Sequence, residues 1–197
     1  MRNGKTYTNT LALFKRFYIV LLLASLGFVG LGQAATTFNT RNGNAYFLSD
    51  APLEMISATS ESLIGVLSVE DRRFSFSIPV NTFEGFNSAL QQTHFNEDYL
   101  ETDVYPHATF KGKIIEEVDL GIAGQYRIRA KGKLNIHGLD NDRIIRCDVS
   151  VEAGRIIVKA KFTVFLDNHD IKIPSIVNQK ITEEIQVEID LVMQASN

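Results

Sequence analysis

Apolar and polar residues alternate along most of the chain beyond residue 40, the period-two signature of strands with one buried face and one wet face. Four stretches show it most cleanly. Phe74, Phe76, Ile78 and Val80 alternate with Arg73, Ser75 and Ser77, and Tyr126, Ile128, Ala130, Leu134 and Ile136 with Arg127, Arg129, Lys131, Lys133 and Asn135. Ile156, Val158, Ala160, Phe162 and Val164 are set against Arg155, Lys159, Lys161 and Thr163. Ile185, Val187, Ile189 and Leu191 are set against Glu184, Gln186, Glu188 and Asp190. Looser alternation predicts further strands over residues 44–47, 53–59, 63–69, 109–117 and 144–152, with turn signals at 121–124, 140–142 and 153–154. The total is about eight or nine antiparallel strands. Helices are too scarce to cover a parallel sheet, so the chain is all-β, and periodicity alone leaves a sandwich and a closed barrel both open.

Two segments interrupt the alternation. Ser88 and Gln91 stand in capping-box spacing, which predicts a short helix over residues 89–95 with Phe86 and Leu90 four apart on one side. Residues 167–180 hold Pro174 and read as a long irregular connection with one helical turn near residues 175–178. Connections of that length are often functional.

Residues 1–34 carry the marks of a secretory signal: Arg2, Lys5, Lys15 and Arg16 ahead of the apolar stretch Phe17 to Gly32, then small residues at Gly32 and Ala34. A retained membrane anchor is the rival reading. That stretch has 16 residues and three glycines, short of the roughly 18 to 20 needed to span a bilayer. Cleavage after Ala34 and a periplasmic destination are therefore expected, with no stable membrane anchor afterwards. Loss of those four basic residues takes the 20 Lys and Arg to 16 against 23 Asp and Glu, a net charge near minus seven. Such a balance argues against nucleic acid and against general adhesion to anionic lipid. Residues 35–197 show no linker or repeat and suit one domain. Cys147, the one cysteine, has no partner for an internal disulfide and shares the inward parity of Ile145, Val149 and Val151.

Candidate chemistry is sparse. His94, His107, His137 and His169 match no metal-ligand spacing, so no metal and no cofactor are expected. The parity of His137 points it outward as a structural or surface histidine. His94, among Glu97, Asp98, Glu101 and Asp103, reads as part of a solvated acidic rim. No Gly-x-Ser-x-Gly elbow and no phosphate-binding loop occurs, so no catalytic residue is assigned. What remains is apolar surface, with 13 Phe, 6 Tyr and no Trp. On parity alone, inward aromatics either fill a core or line a cavity.

A longer motif narrows the choice. His94-Phe95, Tyr99, Tyr105-Pro106, Ala108 and Phe110 follow one another in a pattern that resembles the YceI-like proteins. The likeness continues through Gly132-Lys133-Leu134-Asn135-Ile136-His137-Gly138 and through Phe162-Thr163-Val164-Phe165-Leu166. Ile171-Lys172-Ile173-Pro174 and a closing strand at residues 184–191 complete it, so it covers residues 43–193. The resemblance implies an extended lipocalin-like antiparallel β-barrel of about eight strands with one or two short helices. It also implies that the barrel holds a polyisoprenoid or other long-chain lipid without chemistry of its own. Parity within such a barrel gives Phe76, Ile78, Phe110, Tyr126, Ile128, Phe162 and Val164 as lining, with Phe86, Leu90, Phe95 and Tyr99 at the mouth. A structural or stress barrel with a plugged core and a lipid-modifying enzyme are the alternatives, and the sequence leaves a homodimer open.

Overall fold

The computed structural model describes residues 37–196, so the expected leader at residues 1–34 lies outside the described residues. Strands β1 Thr37–Asp50, β2 Met55–Ser68, β3 Arg73–Pro79, β4 His107–Ile114, β5 Gly124–Ile136, β6 Leu139–Glu152, β7 Arg155–Phe165 and β8 Glu184–Ala195 pair antiparallel in chain order. The last returns to the first, with Ala45 opposite Ile189 and Phe47 opposite Val187, and the sheet closes into an eight-stranded barrel. The open choice between sandwich and barrel is resolved by that pairing. Inward side chains of all eight strands supply the apolar interior.

The strands expected over residues 53–59 and 63–69 are one strand, β2. Ala58 and Ser60 are buried in its first half and Leu63 and Leu67 in its second, so the inward parity slips between them. The partner strand slips too: Phe38 and Thr40 are buried, then Gly43 and Ala45, and β1 begins well before the expected residue 44. Thr40 lies opposite Gly65, Gly43 opposite Leu63 and Ala45 opposite Ser60. Each strand therefore carries one extra residue, a pair of β-bulges that offset one another. Ser60 Oγ accepts from the Ser62 N–H at 3.2 Å and lies 2.6 Å from Thr82 Oγ1, so the irregular backbone and the buried hydroxyl are both satisfied.

The turn expected at residues 140–142 is also corrected. Asp140 and Asp142 lie within β6, opposite Asn135 and Lys133, to which they bond at 2.8 and 3.3 Å. The reversal falls at His137 and Gly138, with φ of 52° and 76°, the two-residue hairpin loop whose left-handed residues match the twist of the flanking strands. Helix α1, Ala89–His94, forms where the capping box predicts it: Ser88 Oγ accepts from the Gln91 N–H at 3.2 Å, and Gln91 Oε1 accepts from the Asn87 N–H at 3.1 Å. It runs on as a π-turn over Phe95–Tyr99. In the 167–180 region the expected turn appears as a 3-10 segment, Ser175–Val177. A second 3-10 segment, Leu166–His169, precedes it.

The two ends of the barrel differ. At one, strands are joined by short links at residues 69–72, 115–123 and 153–154. At the other stand the β1–β2 turn, the long passage 80–106 with α1, the His137–Gly138 turn and residues 166–183. Close backbone approach shapes the wall between them. Gly112 and Gly132 face one another on β4 and β5, and a Cβ on Gly112 would fall 2.1 Å from the Lys131 carbonyl oxygen. Gly112→Ala should therefore destabilise the barrel by about 1–3 kcal/mol in urea unfolding. Gly121→Ala, whose Cβ meets only the Asp119 carboxylate, should stay within about 0.5 kcal/mol of the parent.

Candidate ligand cavity

The barrel interior holds a cavity of about 540 Å³. A fully plugged core would leave no such void. The volume lies in the range of small-molecule and lipid sites, roughly 300 to 1,000 Å³. On one side of its wall the Phe74 ring stands 5.9 Å from Phe76 and 4.9 Å from Phe110, and Ile128, Phe162, Val187 and Ile189 line it elsewhere. The Phe76 ring covers Gly65, its register partner on β2.

Of the residues proposed from sequence, Phe76, Ile78, Phe86, Phe95, Tyr99, Phe110, Ile128, Phe162 and Val164 border the cavity. Two do not. Leu90 points outward from α1 and is 64 % exposed, because a helix this short buries no residue of its own. Tyr126 packs against the core, and its hydroxyl donates to the Ile122 carbonyl at 2.9 Å, which holds the ring away from the opening. Sequence reasoning also missed lining residues. Phe47 sits in a strand whose alternation is broken by the bulge, and Phe83 lies outside regular structure. Ile185, Val187 and Ile189 were marked by the alternation of β8 but not selected.

At the mouth, Phe47 stacks on Phe95 at 5.4 Å, and Phe83 and Phe86 close the cluster at 5.1 to 6.0 Å. Polar side chains in the lining gather here: Glu54, Gln91, His94, Tyr99 and Lys180. Gln91 Nε2 donates to Glu54 Oε1 at 2.5 Å, Asn87 Nδ2 to the Met55 carbonyl at 2.9 Å and the Leu53 N–H to the Gln179 carbonyl at 2.9 Å. The β1–β2 turn is thereby tied to α1 on one side and to residues 175–181 on the other. The His94 ring pairs with Asp98. Across the opening, His137 Nε2 bonds Glu101 at 2.7 Å and its Nδ1 bonds the His169 carbonyl at 3.0 Å. The structural role expected for His137 matches that geometry.

Electrostatics keep the interior neutral. Burial, and then the charges of Asp148 and Glu116, push the Cys147 thiol up to about 11. Burial and Asp98 raise the Tyr99 phenol, and burial lowers the His169 imidazole. Among the described residues no three His, Cys, Asp or Glu side chains converge in a way that would hold a metal ion. Among the described residues the His94 ring is hydrogen-bonded by Asp98.

Comparison with known proteins agrees with this architecture. A polyisoprenoid-binding domain from Saccharophagus degradans superposes with a TM-score of 0.70 at 16 % identity, covering 82 % of this chain and 99 % of that one. BcnA of Burkholderia cenocepacia gives 0.65 at 14 %, over 76 % and 95 %. The YceI protein of Campylobacter jejuni gives 0.54 at 12 %, over the whole of both chains. At such identities the likeness shows the fold. No curated protein matches the chain in sequence. The family model for the YceI-like domain matches residues 25–193, and the chain belongs to that family.

Proposed function

We propose that the barrel binds and carries a polyisoprenoid or other long-chain amphiphilic lipid, without catalysing a reaction on it, in the periplasm after export. The observation that carries this reading is the apolar cavity of about 540 Å³, whose polar lining gathers at one end. Burying apolar surface contributes about 0.8 kcal/mol per methylene-sized group, and so roughly 3 kcal/mol per isoprene unit. Association and ordering remove several kcal/mol, so a tail of about three to eight units reaches micromolar affinity or better. The head group stays among Glu54, Gln91, His94, Tyr99 and Lys180. Family membership and the polyisoprenoid-binding relative support the same ligand class.

A lipid-modifying enzyme is the weaker reading. Reaction needs polar groups converging on a substrate atom, whereas the deep wall is hydrocarbon and the Cys147 thiol stays un-ionised at neutral pH.

Three measurements test this. A fluorescent isoprenoid analogue should bind the parent and Lys161→Ala alike, while Phe162→Ala binds with altered chain-length preference. A Phe162→Ala loss of about 3–5 kcal/mol of stability, with no binding by any of the three proteins, is the signature of a filled core and would overturn the carrier reading. Cell fractionation should recover a chain beginning near Ala35 in the periplasm, and full-length protein in the cytosol would contradict export. The thiol gives a third check, in alkali. Below pH 9 the thiol is protonated in both states, and between pH 9 and about 11 the unfolded chain releases its proton first. Parent stability should fall across that window by about 2 to 3 kcal/mol more than that of Cys147→Ala.

A further inference from the structure

Among the large apolar side chains exposed at the open end of the barrel are Leu53 at 67 %, Met55 at 60 %, Leu90 at 64 % and Ile176 at 90 %. Each adjoins a cavity-lining residue in the chain. Leu53 and Met55 flank Glu54, Leu90 precedes Gln91 and Ile176 precedes Val177. The three segments that carry them are bonded together by Gln91 to Glu54, Asn87 to the Met55 carbonyl and Leu53 to the Gln179 carbonyl. The exposed apolar surface is therefore continuous with the mouth of the cavity, and whatever covers it also covers the opening.

Area, shape and charge indicate the occupant. The four residues expose on the order of 500 Å², in the upper part of the roughly 300 to 600 Å² covered by the largest apolar patch of a typical monomer, a patch that is often functional. They fall short of the roughly 800 Å² per partner of a stable protein complex. They also project from the β1–β2 turn, the first residue of β2, α1 and the 3-10 segment Ser175–Val177 rather than from one flat face, which suits a fluid partner that closes around each side chain. On the same end Asp50, Glu54, Glu84, Glu97 and Asp98 outnumber Lys172 and Lys180, so attraction to anionic head groups is not the source of contact.

We propose that the open end docks on the surface of a bilayer of net-neutral lipid, with Leu53, Met55, Leu90 and Ile176 inserted at the head-group boundary. Cargo then passes between bilayer and cavity without crossing water. The proposal rests on the lipid-carrier reading above, and its test is arranged to separate the two.

The purified protein is floated with phosphatidylcholine vesicles, and uptake of a fluorescent isoprenoid analogue is followed from loaded vesicles and, with a short-chain analogue, from vesicle-free buffer. The double variant Leu53→Ser, Ile176→Ser changes two exposed positions outside the cavity lining. Ile144→Ser, on the outer wall of β6 and 56 % exposed, is the control. Parent and control should float with the vesicles. The double variant should lose about tenfold or more in partition and in uptake from vesicles, while its melting temperature and its uptake from buffer match the parent. A parent that stays off neutral vesicles, one that binds only when anionic lipid is added, or a double variant that floats and loads like the parent overturns docking. A parent dimer that the double variant abolishes, with no flotation, overturns it in favour of a second copy. Flotation without uptake from either source supports docking and overturns the carrier reading instead.

Discussion

Closure of β1 on β8 is the constraint to which the other elements answer. Eight strands give a ring at the size where side chains either fill the interior or leave room for one ligand. With one buried cysteine and no cross-link, the ring rests on ladder hydrogen bonds and apolar burial. Because a strand's faces alternate strictly, a one-residue slip turns every following side chain inside out. The extra residue in β1 and the extra residue in β2 slip together, so both strands regain a common register and Leu63, Leu67 and Ala45 all face inward. A single bulge, uncompensated, would have turned one of those apolar rows toward water.

The same closure divides the molecule into regions with different tasks. Ion pairs on the outer wall, such as Arg127 with Asp148 at 3.2 Å and Lys159 with Asp190 at 3.0 Å, join register partners on neighbouring strands and are solvent-exposed. Each adds little to stability, and their effect is to favour one strand alignment over its neighbours. Inside, the deep wall offers hydrocarbon and a thiol kept protonated. The polar atoms of the mouth already hold one another: Gln91 with Glu54, His94 with Asp98, His137 with Glu101 and the His169 carbonyl. Buried His169 also donates from Nδ1 to the Ile136 carbonyl at 3.2 Å, so the 3-10 turn and the β5–β6 hairpin are fixed to each other.

How far the sequence foretold this follows from where its alternation is unbroken. β3, β5, β7 and β8 keep one phase from end to end, and they were legible together with most of the lining they supply. β1 was largely hidden and β2 was split in two, because the bulges reset their phase within a few residues. Asp140, Asn141 and Asp142 imitate a turn by composition, yet Lys133 and Asn135 across the ladder make acidic residues at home in a strand. Leu90 was placed from helical spacing with Phe86, but spacing cannot tell which way a six-residue helix faces when its contacts are made by its polar side chains. Tyr126 had the right parity and the wrong depth, since a hydroxyl bonded to Ile122 fixes the ring away from the opening. Whether the barrel was filled or hollow could not be read from alternation, which is the same in both cases.

The first and last described residues meet at the end opposite the mouth, where the Ser196 N–H donates to the Thr37 carbonyl at 2.8 Å. A reporter domain, an affinity handle or a solid support joined beyond Ser196 is therefore held a full barrel length from Glu54, Gln91 and Lys180. Arrays of the protein immobilised through that end of the barrel would present their openings to the solution, with the entrance unobstructed by the linkage.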